Sequence, residues 1–264
     1  MKKSPLILVV RKFDEFSLRL RENGFEIINF PAIETSPVED SGAQMDEKLK
    51  TPEKYDGLFF TSPRAAEVFL QRKAKDGFGG KIYVLGGRTK LLFENAGFET
   101  VFRESANTAE EFINSFEKSE FAGKRFLFLR GDKSLRAIPE LLKTVAEIDE
   151  VIVYRTIENR VDKTLVDKTG ENLRRGEIGW ICFFSPSGIE SFMKTFGEKS
   201  LSDEIKIAAI GATTAKKAAA LNLKVKFISP KASAEDFASG LIEYLIQCKT
   251  QNAKCKISGR KFKN

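Results

Sequence analysis

Short apolar segments alternate with amphipathic segments along most of the chain. The apolar segments are nearly continuous runs of Ile, Val, Leu and Phe, which are typical of strands buried on both faces of a parallel sheet. They predict strands at residues 6–10, 57–60, 82–85, 126–129, 151–154, 180–184 and 207–210. Helical spacing of apolar positions predicts helices at 13–23, 64–73, 89–96, 108–118, 134–145, 187–196, 213–221 and 234–247. This order favours an α/β protein with right-handed crossovers.

An internal repeat runs through these elements. Residues 58–69 (LFFTSPRAAEVF) resemble residues 181–192 (ICFFSPSGIESF), which lie 123 positions later. Residues 81–89 and 108–112 each match a segment 125 positions later. Because the offset hardly changes, the chain is predicted to hold two copies of one α/β unit.

The boundary between the two copies has two possible placements. A cut near Gly123 would separate two consecutive domains. Alternatively, the segments that end at Glu34 and Glu158, 124 residues apart, form two antiparallel linkers. The residues between those linkers then form one domain, and the first strands join the C-terminal half in the other. Both placements are compatible with the repeat.

Composition narrows the chemistry that the chain can perform. The chain has no histidine, which excludes a Ser/His/Asp or Cys/His nucleophile, a Cys/His zinc site and an imidazole base. Its three cysteines are too few for a four-thiolate metal site or a disulfide framework. Neither copy has a GxGxxG segment after its first strand, so no dinucleotide fingerprint is present. We therefore expect neither a cofactor nor a metal.

The net charge of +7, from 44 basic and 37 acidic residues, first suggests a polyanionic partner. However, residues 247–264 contain six Lys and Arg and no acid, which leaves 38 basic residues against 37 acidic ones. This tail lacks helical periodicity and is predicted to be a disordered basic extension. No nucleic-acid motif, signal peptide or membrane-spanning segment is recognisable. We expect a cytoplasmic protein that binds neither nucleic acid nor membrane.

Matching turns of the two copies are the first candidates for a ligand site. In a parallel sheet, ligands bind where the carboxyl ends of the strands meet the N-termini of the following helices. Free backbone N–H groups and the positive end of the helix dipole at such turns hold carboxylates well. The candidate binding residues in these turns are Thr61, Ser62, Arg64, Gly86, Arg88, Thr89, Ser185, Ser187, Gly211, Thr213 and Thr214.

The same residues also have structural explanations. Serine and threonine are preferred N-cap residues, and Pro63 and Pro186 suit a first helical turn. Gly86 and Gly211 are expected in tight turns with positive φ, a conformation that glycine adopts without strain. A cap and a ligand site are compatible, because the turn still exposes other N–H donors.

Two strand ends add charged candidates. Arg11 follows the first strand, and Arg130 with Gly131 follows the strand at 126–129. A guanidinium pairs well with a carboxylate, so these residues join the predicted substrate-binding set. An ordinary ion pair within the protein is the alternative for each arginine. Asp132 is expected to cap the following helix.

Tyr154 breaks the symmetry of the repeat. It ends the strand VIVY, whereas Phe30 occupies the matching place in the first copy. One added hydroxyl suits a single active centre in a duplicated scaffold, and a core tyrosine at a strand end is the alternative. Phenols are protonated at neutral pH and can donate a hydrogen bond or a proton. Tyr154 is our candidate catalytic residue.

In combination, these segments resemble the uroporphyrinogen-III synthase family. The matching segments are LFFTSPRAAEVF, YVLGGRT, FLFLRGDKS, VIVYRTIE, FFSPSG and IAAIGATTA, and the resemblance covers about residues 6–245. It implies two parallel α/β domains joined by a two-stranded linker, with Tyr154 facing an active-site cleft between them. The implied boundaries are 1–34 with 163–246 for one domain, 40–150 for the other, and linker strands at 35–39 and 151–162.

The resemblance also implies an activity. Members of this family cyclise the linear tetrapyrrole hydroxymethylbilane to uroporphyrinogen III in haem biosynthesis, with inversion of ring D and loss of water. The reaction is that of a hydro-lyase, needs no cofactor and is carried out by a monomer. Because the substrate also closes spontaneously to the unrearranged isomer, the enzyme's task is largely positioning. A non-catalytic two-domain sensor of an anionic ligand is the alternative for the same fold.

Overall fold

The computed structural model describes residues 6–38, 41–72, 75, 77–197 and 200–258. The chain divides into two compact units, which we call unit 1 (Met1–Ile33 with Glu158–Asn264) and unit 2 (Glu34–Ile157). Each unit contains one five-stranded sheet. The α/β class predicted from the sequence is confirmed.

Strands and helices alternate along the described residues. In chain order the elements are β1 (Leu6–Val9), α1 (Glu15–Glu22), β2 (Ile27–Asn29), β3 (Ile33–Pro37), α2 (Ser41–Lys48), β4 (Gly57–Phe60), α3 (Pro63–Leu70), β5 (Lys81–Val84), α4 (Gly87–Asn95), α5 (Ala109–Asn114), β6 (Arg125–Gly131), α6 (Ala137–Leu142), β7 (Glu147–Glu158), α7 (Lys163–Arg174), β8 (Ile178–Phe183), α8 (Pro186–Phe196), β9 (Lys206–Ala209), α9 (Ala212–Ala220), β10 (Val225–Ile228) and α10 (Ala234–Ser258). Short 3-10 turns connect some of them.

The sheet of unit 1 has the strand order β10-β9-β8-β1-β2, and its neighbouring strands are parallel. Side chains of β1 alternate between two cores. Leu8 packs in a cluster with Phe183, whereas Ile7 and Val9 pack on the other face with Phe16. Because both faces are covered, the central strands read as continuous apolar runs.

The sheet of unit 2 has the order β3-β7-β6-β4-β5, in which β7, β6, β4 and β5 are parallel. Its edge strand β3 runs the other way. The Val38 N–H donates to the Val153 carbonyl at 3.3 Å, and the Asn159 N–H donates to the Ala32 carbonyl at 3.0 Å. Residue numbers rise on one strand as they fall on the other, so β3 and β7 are antiparallel.

Five elements were not predicted from the apolar pattern, namely β2, β3, β10, α2 and α7; a strand near β3 was expected only as a linker implied by the resemblance. Strands β2 and β10 lie at the edges of the unit 1 sheet, and β10 (VKFI) is only partly buried. Edge strands lack the continuous apolar run on which the prediction depends. Helix α7 contains Gly170 in its interior, and glycine disfavours helix in a sequence-based reading.

Helix α10 corrects one prediction. It continues to Ser258, so residues 247–258 are helical and not the disordered extension that we expected. Residues 241–258 contain neither Gly nor Pro, and residues 247–258 include three Lys and two Gln, which are good helix formers. The helix therefore propagates from the part anchored by the buried Leu241 and Leu245. Residues 259–264 of the predicted tail lie outside the described residues.

Within the described part of the chain, no helix is both long enough and apolar enough to cross a membrane.

Candidate functional site

The candidate residues of unit 2 lie where its parallel strands end. Thr61 and Ser62 follow β4, Gly86 comes shortly after β5, and Gly131 is the last residue of β6. Tyr154 is the neighbour of Gly131 on β7. Because β4, β5, β6 and β7 point the same way, these residues share one edge of the sheet.

The two Ser-Pro turns begin helices α3 and α8, as predicted. The Ser62 Oγ accepts a hydrogen bond from the Ala65 N–H at 3.2 Å, and the Ser185 Oγ accepts one from the Gly188 N–H at 3.1 Å. Both serines are therefore N-caps, and each satisfies one free donor of its helix. The Ser187 Oγ lies 3.1 Å from the Ser185 Oγ.

The first turns of these helices still offer donors. Pro63 and Pro186 occupy the first helical position and carry no N–H. The N–H groups of the next residues, Arg64 and Ser187, have no partner within their own helices, as in any first turn. The side chain of Arg64 is bonded on the helix surface, where its Nη1 donates to Glu67 Oε2 at 3.1 Å. Backbone N–H groups are therefore the feature that the two turns share.

The two glycine turns differ from each other. Gly86 has φ +89°, the left-handed conformation that we predicted. Gly211 has φ −177°, which is extended backbone that any residue adopts, so the predicted positive φ at Gly211 is wrong. A Cβ on Gly211 would meet the Ala232 Cβ at 3.6 Å, an ordinary contact. Thus only Gly86 needs to be glycine for conformational reasons.

The threonines and the arginine that follow these glycines fall into two groups. Thr89 and Thr214 are buried, with 1% and 4% of their surface exposed. The Thr89 Oγ1 has no hydrogen-bond partner in the described part of the chain. Arg88 and Thr213 are exposed. The exposed pair is therefore accessible to a ligand, whereas the two buried side chains face the interior of their own units.

Arg130 is bonded inside unit 2. Its Nε donates to Glu150 Oε2 at 2.6 Å and its Nη1 donates to the Gly131 carbonyl at 2.9 Å, and its side chain is only 10% exposed. The Arg136 Nη2 donates to Glu150 Oε1 at 2.7 Å. Burial alone would raise the pKa of the Glu150 carboxyl, but the hydrogen bonds and charges of Arg136 and Arg130 outweigh it and lower the pKa. This geometry argues against the substrate-binding role that we predicted for Arg130.

Arg11 lies just beyond the carboxyl end of β1 in unit 1. Its Nη2 is 2.8 Å from Asp14 Oδ2, and its side chain is 29% exposed. Its guanidinium also lies over the Phe184 ring, 4.2 Å from the centroid. A cation–π contact of this kind is attractive and, together with the Asp14 ion pair, holds the guanidinium in place. Arg11 is therefore a partly exposed cation in a defined orientation.

Asp132 is not the helix cap that we predicted. Helix α6 begins at Ala137, and its N-cap residue is Arg136. The Asp132 Oδ1 instead accepts hydrogen bonds from the N–H of Lys133 at 2.8 Å and of Thr156 at 2.9 Å. The carboxylate therefore ties the end of β6 to β7.

Tyr154 lies within β7, not at its end as we expected, since the strand continues to Glu158. Its ring is partly buried against a cluster that contains Val153. No residue in the described ranges forms a hydrogen bond with its hydroxyl. Phe30, the matching residue of the first repeat, is fully buried. The two positions of the repeat therefore differ in exposure as well as in chemistry.

A depression of about 600 Å³ lies at the opposite edge of the unit 2 sheet, near the amino ends of β6 and β7. Its charged groups converge on Asp149, which accepts from the Tyr55 hydroxyl at 2.6 Å and from Arg125 Nη2 at 3.1 Å, and which pairs with Lys48 at 3.2 Å. Burial and Asp149 raise the pKa of Tyr55. These groups pair with one another and lie away from the candidate residues.

No group of three or more His, Cys, Asp or Glu side chains in the described residues is placed to hold a metal ion.

Comparison with known proteins gives a consistent result. A family model described as "Uroporphyrinogen-III synthase HemD" matches residues 14–239. The chain is 29% identical over 239 residues to the uroporphyrinogen-III synthase of Chlorobaculum parvum, which covers 87% of this chain and 94% of that protein. It is 27% identical over 256 residues to the uroporphyrinogen-III synthase of Schizosaccharomyces pombe, which covers 92% of this chain and 97% of that protein.

A solved structure extends the comparison to the fold. The crystal structure of a mutant uroporphyrinogen III synthase from Thermus thermophilus matches with a TM-score of 0.63 and 14% sequence identity, covering 92% of this chain and 99% of that one. At this identity the likeness shows the fold alone. The family model spans most of the sequence and confirms the resemblance stated above. The chain belongs to the uroporphyrinogen-III synthase family, the hydro-lyases that close the ring in tetrapyrrole biosynthesis.

Proposed function

We propose that the chain converts hydroxymethylbilane to uroporphyrinogen III with inversion of ring D, and that Tyr154 donates a proton or hydrogen bond to the departing hydroxyl. The observation that carries the proposal is the state of the Tyr154 phenol. It lies at the edge where parallel strands end, and no described residue hydrogen-bonds to its hydroxyl. The hydroxyl therefore has its hydrogen-bonding capacity available for a substrate.

Backbone donors are suited to the eight acetate and propionate carboxylates of this substrate. We propose that carboxylates bind at the first turns that start with Ser62 and Ser185 and at the turns of Gly86 and Gly211. Free N–H groups and a positive dipole end meet there without the cost of burying a cation. The exposed or partly exposed side chains beside them complete the proposed set: Arg11, Thr61, Arg64, Arg88, Ser187 and Thr213.

The proposed sequence of steps needs little side-chain chemistry. The hydroxyl of the hydroxymethyl group leaves as water when the pyrrole nitrogen supplies its electron pair and Tyr154 supplies a proton; the methylene carbon stays on the pyrrole as the exocyclic carbon of an azafulvene. The resulting azafulvene is attacked by the substituted carbon of ring D, which gives a spiro intermediate that fragments and recloses with ring D inverted. The proton lost when the last pyrrole regains its aromaticity returns to the phenolate, so the enzyme is unchanged. Positioning of ring D decides between the two isomers.

An isomer assay tests the proposed reaction. Freshly made hydroxymethylbilane is supplied to the full chain, and the type I and type III products are separated. We expect type III product at a rate above spontaneous closure. Type I product alone, formed at the spontaneous rate, would refute the proposed reaction.

A single substitution tests Tyr154. General acid catalysis contributes factors on the order of 10²-fold or more, but pyrrole nitrogen assistance remains when the phenol is lost. We expect Tyr154→Phe to lower kcat by up to about 10²-fold without abolishing turnover. Tyr244→Phe, a tyrosine packed against Trp180 in unit 1, is the control and should retain the wild-type rate. A Tyr154→Phe enzyme with full activity would remove Tyr154 from the mechanism.

We further infer that units 1 and 2 are the two domains of the family and that β3 and β7 connect them. We also infer that the enzyme is cytoplasmic, works as a monomer and needs no cofactor. The family membership supports each of these points. Analytical ultracentrifugation of the full chain should show the mass of a single chain, and a stable dimer would refute the monomer.

A further inference from the structure

Strand β7 changes the face on which its side chains lie. Ile148 packs against the cluster of unit 2 that contains Phe126, whereas Val151 and Val153 pack on the opposite face with Leu129. Side chains alternate along a strand, so Tyr154, six residues after Ile148, should share its face. Tyr154 instead packs with the cluster of Val151 and Val153.

A β-bulge explains the change of face. Arg130 pairs with Ile152, but the next residue of β6, Gly131, pairs with Tyr154. One residue of β7, Val153, is therefore extra. An inserted residue of this kind re-aims the side chain that follows it. The bulge places the Tyr154 ring over Gly131.

The space for that ring exists only because residue 131 has no side chain. A Cβ built on Gly131 would lie 2.4 Å from Cζ, 2.6 Å from Cε2 and 2.7 Å from the hydroxyl oxygen of Tyr154. These distances are well inside van der Waals contact. Gly131 does not have a positive φ, so its backbone conformation does not require glycine. Glycine is therefore required at position 131 because any side chain there would clash with the Tyr154 ring.

The residue after Gly131 holds the backbone of β7 at the tyrosine and just after it. The Asp132 N–H donates to the Tyr154 carbonyl at 3.1 Å. The Asp132 carboxylate accepts from the Thr156 N–H at 2.9 Å. The ring and the strand that carries it are thus both fixed by two consecutive residues at the end of β6.

We propose that Gly131 is a positioning residue that fixes the Tyr154 hydroxyl for the loss of water, and not the substrate-binding residue that the sequence suggested. Asp132 supports this arrangement by holding β7. The inference rests on the proposed function of Tyr154. It predicts that changes at Gly131 lower kcat and leave the KM for hydroxymethylbilane close to that of the wild type.

Gly131→Ala is the direct test. The atoms that the new methyl group would meet belong to the far end of a side chain, so the ring can move aside and the fold can persist. We expect kcat to fall by about as much as in Tyr154→Phe, with little change in KM. Gly79→Ala is the matched control, because a Cβ there meets nothing within 4 Å and the φ is not positive. A Gly131→Ala enzyme with wild-type kcat would overturn the proposal.

The double variant Gly131→Ala/Tyr154→Phe separates positioning from substrate binding. If Gly131 acts only through the phenol, the double variant turns over as fast as Tyr154→Phe alone. If Gly131 contacts substrate itself, the two losses multiply and the proposal is overturned. Should Gly131→Ala not fold, Asp132→Ala gives the same comparison, with a smaller fall in kcat that disappears in the Tyr154→Phe background.

The NMR signal of the Tyr154 ring distinguishes failure of the positioning role of Gly131 from failure of the proposed function of Tyr154. The chain contains four tyrosines, so an NMR spectrum of the protein with labelled tyrosine rings contains few signals. The signal that disappears in Tyr154→Phe belongs to Tyr154. We expect Gly131→Ala to shift this resonance and Gly79→Ala to leave it in place. If Tyr154→Phe is slow and the resonance is unmoved in Gly131→Ala, only the positioning role fails. If Tyr154→Phe is fully active, the proposed function fails first.

Discussion

Gly86 and Gly211 occupy equivalent positions in the two repeats but have different backbone conformations. Forcing an L-residue into the left-handed region costs about 1–2 kcal/mol. We expect Gly86→Ala to lower the free energy of unfolding by that amount, since Gly86 has φ +89°. Gly211→Ala is the matched control and should change stability little, because φ −177° suits alanine and its Cβ has an ordinary contact. Urea unfolding measures both, and equal losses would contradict the explanation.

At the scale of single residues, the two serine caps were predicted correctly, whereas the positive φ at Gly211, the helix cap at Asp132 and the long-range partners were not. Ser62 and Ser185 cap helices because their bonds reach only three residues ahead. Asp132 binds Thr156, 24 residues away, and Arg130 binds Glu150, 20 residues away. Such partners depend on the register of β6 against β7. No sequence pattern signals the bulge at Val153, so the location of the Tyr154 ring could not be predicted.

Between the elements β6 and β7, the Glu150 ion pairs should make stability depend on pH. The pKa of Glu150 is lowered in the folded protein from an ordinary value of 4.5. The unfolded chain therefore binds a proton more readily, so the stabilisation is complete above about pH 4.5 and is lost as the pH falls through the folded pKa. We expect the free energy of unfolding to decrease below about pH 4.5.

Glu150→Gln tests this pH dependence. Loss of hydrogen bonds to a charged group costs about 1.5–3 kcal/mol, so the variant should be less stable at pH 7. Below about pH 4.5 the difference from the wild type should shrink, because the wild-type carboxylate becomes protonated as well. Glu147→Gln is the control on the same strand, since the side chain of Glu147 is 76% exposed and pairs with Arg125 at 3.6 Å. A difference that stays constant with pH would contradict the assignment.

At the scale of elements, burial decided which strands could be predicted. Strands β4, β6 and β8 are covered on both faces and were recognisable as apolar runs. The edge strands β2 and β10 were missed because neither is a long buried run: β2 has three half-buried residues, and β10 alternates half-buried with exposed positions. The length of α10 was missed for the opposite reason. Its C-terminal part has good helix propensity but no apolar face to mark it.

For the molecule as a whole, most of the net positive charge comes from the C-terminal segment 247–264, and we expect this segment not to be needed for catalysis. Six of the basic residues lie in 247–264, beyond the buried Leu245. We expect a chain truncated after Ile246 to retain the kcat/KM of the full chain and to lose affinity for immobilised heparin. Its far-UV circular dichroism should show less helix. A marked rise in KM after truncation would indicate that the basic segment attracts the carboxylates of the substrate.

Unit 1 is made from both ends of the chain, and unit 2 is continuous within it. Strand β1 lies between β8 and β2 in the unit 1 sheet. Because synthesis proceeds from the N-terminus and domains fold as units, Glu34–Ile157 can complete its fold before β8 has left the ribosome. Strand β1 is therefore synthesised long before β8 and is among the last strands of its sheet to gain both neighbours.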